Sequence, residues 1–195
     1  EDYINIDIES KESLLARYEG SNNVTFKSFQ EKGIEIYNYN IFDLPYEDNT
    51  VDEVLCNAFL EHLDFVEERN FFFEVKRILK AGGVFKFSVP DFEWLIKKWI
   101  MANDDWKDFY YTDKGEHWFG QKNRNMTTRW GYLIAAIFGN QNGVGQYHKN
   151  AYTKQKVEAV LAKIDFKIVD INESFYRGKF EKFLEYTTIK LMYEN

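Results

Sequence analysis

Only one of the 195 residues is a cysteine, Cys56, and it lies inside an apolar strand pattern. A single thiol builds no disulfide framework, which points to a reducing compartment and a cytoplasmic protein. Positive charge is also scarce: 25 Lys and Arg stand against 32 Asp and Glu, a formal net charge of −7. No local basic run compensates, which works against a large phosphate-neutralising footprint on nucleic acid, and no nucleic-acid partner is expected. No stretch approaches the roughly 20 apolar residues of a membrane span, and no charged-then-apolar leader precedes Tyr3. Internal repeats and low-complexity tracts are absent as well.

What remains is a chain with 45% hydrophobic residues, enough for a sizeable core and of the usual length for one domain. Apolar runs of strand length alternate with helical periodicities, the pattern of a mainly parallel sheet covered by helices. Tyr3 to Ile8 reads as a strand, Ile34 to Ile41 alternates in period two, and Val51 to Ala58 and Val84 to Val89 are short apolar strands. Between the last two, Phe72, Val75, Ile78 and Leu79 form a helical stripe, with Lys80 suited to the carboxyl end and Gly82 to a helix stop. Asp91 is predicted to cap a helix burying Phe92, Leu95, Ile96, Trp99 and Ile100. A second helical stripe, Trp130, Leu133, Ile134, Ile137 and Phe138, ends near Gly139. After a polar loop to about Asn150, Thr153 is expected to cap a helix with Val157, Val160, Leu161 and Ile164, followed by strands Phe166 to Ile171 and Leu184 to Tyr193.

The run Asn40-Ile41-Phe42-Asp43-Leu44-Pro45-Tyr46-Glu47-Asp48-Asn49-Thr50-Val51-Asp52-Glu53-Val54-Leu55-Cys56-Asn57 continues into Leu60-Glu61-His62 and then Arg77-Ile78-Leu79-Lys80-Ala81-Gly82-Gly83. Together these resemble the middle of a class I S-adenosylmethionine (SAM) dependent methyltransferase, over about the first 90 residues and more loosely over the last 45. The resemblance implies a Rossmann-like, doubly wound, mainly parallel α/β sheet with helices on both faces and an antiparallel last strand. An aromatic-rich helical insert would follow the fifth strand. It makes 1–195 a single methyltransferase-like domain whose insert, about 91–150, binds substrate or forms a lid. Tyr3 to Ile8 would be the second strand of such a sheet. A first strand with a glycine-rich turn is not in this chain, and residues are expected to precede Glu1.

The resemblance also implies a cofactor site for SAM at the carboxyl ends of the strands, where ligands of open α/β sheets sit. Asp7, with Ile8 after it, would accept hydrogen bonds from the ribose hydroxyls; the alternative is a surface turn acid. Asn40 and Ile41 match the positions that receive the adenine, where aspartate is more usual and Asn still offers a side-chain oxygen. Asn57, Ala58 and Leu60 would line the end of the fourth strand, and His62 would touch cofactor or substrate, or else serve as a structural hydrogen-bonder. The three histidines are too dispersed to form a sequence-evident metal motif, and no metal is expected.

All five tryptophans fall between Trp94 and Trp130. Trp99 and Trp130 belong to apolar helix stripes, whereas Trp106 and Trp118 sit among polar residues with Tyr110 nearby. With Tyr147, these are candidate substrate platforms for a sugar ring or a planar metabolite; a satellite hydrophobic cluster is the competing reading. Trp118-Phe119-Gly120-Gln121 and Tyr147-His148-Lys149 are similar to a subgroup linked to surface-glycan and sugar modification. Methyl transfer needs an in-line approach, a close acceptor and excluded water. For a hydroxyl acceptor on a small molecule or glycan, His148 is the first candidate base and His117 the second. Two other classes stay open: a degenerate or truncated, non-catalytic relative, and a glycan- or partner-binding module. A homo-oligomer is also open, and the acceptor is not legible in the sequence.

Overall fold

The structure, a computed structural model, describes residues 3–18, 31–101, 137–139, 145–175 and 184–193. It divides into two compact units, Glu1–Glu47 and Asp48–Asn195.

In the first unit, strand β1 (Asn5–Asp7) pairs in parallel with β2 (Ile36–Asn38), Asp7 lying opposite Asn38. Helix α1 (Lys11–Tyr18) follows β1. Ser10 stands just before it, its Oγ accepting from Ser13 N–H at 3.2 Å. The Asn38 amide fastens the turn after β1 by donating to the Ile8 carbonyl at 2.6 Å. Both strands are shorter than their apolar alternation suggests.

The second unit carries β3 (Val51–Asn57), a single 3-10 turn (Leu60–His62), α2 (Phe65–Ile78), β4 (Leu79–Pro90), α3 (Phe92–Met101), α4 (Lys154–Leu161), β5 (Phe166–Phe175) and β6 (Leu184–Tyr193). Its sheet runs β3-β4-β6-β5. β3 and β4 are parallel, while β6 is antiparallel to both β4 and β5. The antiparallel last strand is as expected, and it lies between two earlier strands rather than at the edge.

The core follows from two periodicities meeting. Phe85, Phe87 and Val89 alternate inward along β4 with Lys86 and Ser88 on the other face. Helix α2 lays Phe72, Val75 and Ile78 onto them, each at most 2% exposed. Phe72 meets Phe85 edge-on at 5.8 Å between ring centroids, and Phe85 reaches Phe166 of β5 at 6.2 Å. A full capping box sets the start of α2: Asp64 accepts from Val66 and Glu67 N–H, and the Glu67 side chain returns to Asp64 N–H at 2.8 Å.

Two details correct the sequence expectations. Helix α2 stops at Ile78, not at Gly82, because the fully buried Leu79 already pairs with Val51 of β3. The register then jumps, Glu53 opposing Val84, so Lys80 to Gly83 bulge out opposite Asp52. Gly82 serves that bulge with φ +77°, and Lys80 pairs with Asp52 at 2.6 Å instead of capping a helix. Asp91 does cap α3, accepting from Trp94 N–H at 2.9 Å, and Leu95 is buried, but Ile100 is 68% exposed. Five residues beyond Leu95 is about 140° around a helix, which turns Ile100 away from that buried contact.

Candidate functional site

In the first unit the candidate residues gather where parallel strands end. Asp7 closes β1 and its Oδ1 accepts the Glu9 N–H at 2.8 Å. Ile8 is exposed and Ile41 buried. Asn40 folds into a local turn, its Oδ1 accepting from Phe42 N–H at 3.1 Å. A carbonyl oxygen has two lone pairs, so this bond leaves a further acceptor position on Asn40.

In the second unit the same logic applies after β3. Asn57 ends the strand and its Oδ1 accepts from the Ser88 hydroxyl at 3.0 Å. Ala58 takes φ +49°, a left-handed backbone that costs an alanine about 1 kcal/mol or more. That kink sends the chain into the 3-10 turn, where Leu60 is fully buried and therefore serves packing with its side chain. The turn also drives Glu61 inward, to 2% exposure. Nothing in the triplet Leu60-Glu61-His62 signals this; a glutamate just beyond a strand reads as a surface acid.

Around Glu61 the turn meets the segment from Gly145 to Tyr152. The Glu61 carbonyl accepts from the N–H groups of Lys149 and Asn150 at 2.8 and 3.1 Å. His62 Nδ1 hydrogen-bonds to the Tyr147 carbonyl at 3.0 Å, and the His62 ring meets His148 edge-on at 4.9 Å between centroids. His148 N–H in turn donates to the Phe138 carbonyl at 3.0 Å. Histidines dispersed in sequence are thus neighbours in space. Tyr147 keeps its ring in solvent, 51% exposed. Glu61, Pro90, Leu95, His148, Asn150 and Tyr152 line a small cleft at the carboxyl end of β4.

Burial governs the electrostatics. It pushes the Glu61 carboxyl up to about 8, so the group holds its proton far above the ordinary carboxylate range. Burial pulls His62 down, against the hydrogen bond to Tyr147, which favours its proton; the neutral imidazole is therefore the favoured form. The Tyr152 hydroxyl is raised by burial and by its bond to Glu68. Of the other sequence candidates, His117, Trp106, Tyr110 and Trp118 lie outside the described residues.

Parallel strand pairs alternating with helices make this a Rossmann-like α/β fold. Comparison with known proteins makes this more specific. A family model described as a methyltransferase domain matches residues 1–87. The fold is similar to the crystal structure of a SAM-dependent methyltransferase from Clostridium acetobutylicum, with TM-score 0.54, 20% identity, and 97% of this chain against 74% of that one. It is also similar to the Burkholderia thailandensis 1,6-didemethyltoxoflavin-N1-methyltransferase, solved with its substrate and S-adenosylhomocysteine: TM-score 0.53, 14% identity, 97% of this chain and 60% of that one. In sequence, the uncharacterized protein MJ0638 of Methanocaldococcus jannaschii is 41% identical over 71 residues, 36% of this chain; the match spans 29% of that protein's length. Residues 1–87 are thus similar to a methyltransferase domain, and the fold as a whole is similar to that of SAM-dependent methyltransferases.

Proposed function

We propose that this chain transfers the methyl group of SAM to a hydroxyl of a small molecule or sugar. The observation that carries the reading is positional: Asp7, Asn57 and Ala58 each stand at the carboxyl end of a strand in a parallel pair, where folds of this class hold their ligands. Asp7 and Ile8 would take the ribose, Asn40 and Ile41 the adenine, and Asn57 and Ala58 the amino-acid part of the cofactor. The neighbour from Burkholderia thailandensis, a 1,6-didemethyltoxoflavin-N1-methyltransferase, supports a small acceptor. Sugar or glycan hydroxyls remain the proposed alternative acceptors.

In this reading the chain is one methyltransferase domain, cytoplasmic, with 91–150 as the substrate-binding insert. Tyr147 offers an open aromatic face, and Trp106, Tyr110 and Trp118 are proposed to extend it. SAM supplies an electrophilic methyl on a sulfonium; the protein positions the acceptor, excludes water and takes the acceptor's proton. His148, beside the cleft and half-buried, is the proposed proton acceptor, with His117 second.

Calorimetry with SAM, then turnover across a panel of hydroxylated acceptors, tests this. Asp7→Ala is expected to weaken SAM binding at least tenfold. His148→Ala is expected to lower turnover at least a hundredfold with SAM affinity nearly unchanged. No heat with SAM points instead to a non-catalytic binding module, and intact turnover removes His148 from the mechanism.

A further inference from the structure

We propose that Glu61, His62 and His148 form a binding site for one divalent transition-metal ion, of the zinc, cobalt, manganese or iron(II) class. The site stands on the geometry of the second unit and does not depend on the methyl-transfer reading.

Three observations meet at this point. One ligand-type atom from each of the three residues lies within 4.8 Å of the others. Metal-to-ligand bonds of about 2.0–2.2 Å put two ligands of one ion about 3.4 Å apart at a tetrahedral angle, so closing the set takes side-chain rotations of about an ångström. Second, Glu61 Oε2 is buried with no hydrogen-bond partner among the described residues. A buried carboxyl oxygen without a partner is costly and rare, and an ion that displaces the carboxyl proton is one of the few things that accounts for it. Third, the His62 tautomer is the one that metal-bound histidines usually have. A main-chain carbonyl only accepts, so at the Tyr147 carbonyl Nδ1 carries the proton and Nε2 keeps the lone pair, the arrangement by which an outer carbonyl fixes the tautomer of a ligand.

Two imidazoles and one carboxylate select the class of ion. Nitrogen-rich sets suit zinc, iron and their neighbours, whereas magnesium and calcium prefer all-oxygen shells. Three protein ligands leave at least one coordination position open, and Glu61 and His148 both border the cleft. An acceptor oxygen entering there would meet the cation. The nearby Lys149 ammonium, which by itself repels an ion, is held in a 2.8 Å pair with Glu67. A His148 lone pair bound to a cation cannot also take a proton, so the metal-loaded and metal-free proteins use this residue differently.

The test uses the full chain, free of any affinity tag and stripped with chelator, titrated calorimetrically with zinc and spectroscopically with cobalt, in the absence of SAM. One ion per chain is expected, with visible cobalt bands of a low-coordinate nitrogen and oxygen site. Glu61→Gln and His148→Ala should each weaken binding at least tenfold. In the unsubstituted protein, cobalt or manganese should broaden or shift the ring signals of both His62 and His148, a measurement that stands even if a variant fails to fold. Absence of stoichiometric binding, affinity unchanged in both variants, or paramagnetic effects that spare these two histidines overturns the site. Heat with SAM is recorded separately, so failure here leaves the methyl-transfer reading untouched, and the reverse.

Discussion

The Tyr152 hydroxyl hydrogen-bonds to Oε1 of the buried Glu68, tying the segment after His148 to helix α2. The same oxygen receives Lys156 Nζ at 3.0 Å and Asn150 Nδ2 at 3.1 Å. Lys156 also lies over the Tyr152 ring, 4.0 Å from its centroid. One carboxylate therefore gathers donors from both sides of a turn, and the two N–H groups given to Glu61 pin the same turn again. His148 sits at the edge of a segment fixed by these polar bonds and by the buried Tyr152 ring.

Removing the Tyr152 hydroxyl as Tyr152→Phe takes one donor from a buried oxygen and is expected to cost about 1–3 kcal/mol in urea unfolding. Glu68→Ala should cost more, about 3 kcal/mol, because it removes the acceptor shared by Tyr152, Asn150 and the half-buried Lys156. Equal, small effects from both would mean that the network is incidental to stability.

What the sequence disclosed and what it hid follow one physical division. Strands β3 and β4, helix α2 and the cap at Thr153, which accepts from Lys156 N–H at 3.2 Å, were legible because periodicity and capping are local. The end of α2 was not, since the pairing of Leu79 with Val51 is a non-local bond that outweighed a good glycine stop. The strand ends near Asp7 and Asn57 were legible for the same local reason, while the roles given to these residues came from the resemblance. Glu61 was not: its burial depends on the left-handed turn at Ala58 and on Lys149 and Asn150, far along the chain. The approach of His62 to His148 was hidden likewise, because dispersed histidines carry no spacing signal until the chain folds.

Gly139 has φ +80° and faces Tyr147 across an isolated antiparallel bridge. A Cβ there would stand 2.0 Å from the Gln146 carbonyl oxygen and 2.9 Å from His148 N. Both are main-chain atoms, so no side chain can yield. Gly139→Ala is expected to break the bridge and release His148 from the Phe138 carbonyl, at a cost above about 1 kcal/mol. The His148 ring signal in NMR should shift towards that of an exposed histidine while the aromatic core signals of Phe85 and Phe87 stay in place.

Ala58 offers the opposite experiment. Its φ of +49° is strained for any residue with a Cβ and free for glycine. Ala58→Gly should leave stability unchanged or raise it by up to about 1 kcal/mol, whereas the β-branched Ala58→Val should lower it by more than that. Thermal melts of the pair check the sign, and a tolerated valine would mean that this turn relaxes out of the left-handed region.

Cys56 supplies a prediction on the alkaline side. Its side chain is buried in β3, and its thiol is raised well above the ordinary cysteine range by burial first and by the neighbouring Glu61 second. The folded protein therefore keeps the thiol proton at a pH where the unfolded chain has lost it. Stability from this group is fully present below about pH 9 and declines above it, at about 1.4 kcal/mol per pH unit for one proton. Cys56→Ala should flatten that part of the decline between pH 9 and 10, read by urea unfolding at each pH. Alkylation of the native protein should be slow and should hardly quicken as pH rises from 7 to 8.5, since the thiolate is the reactive form. Rapid labelling that follows the titration of an ordinary thiol would place Cys56 at the surface and contradict the packing of β3 against its neighbours.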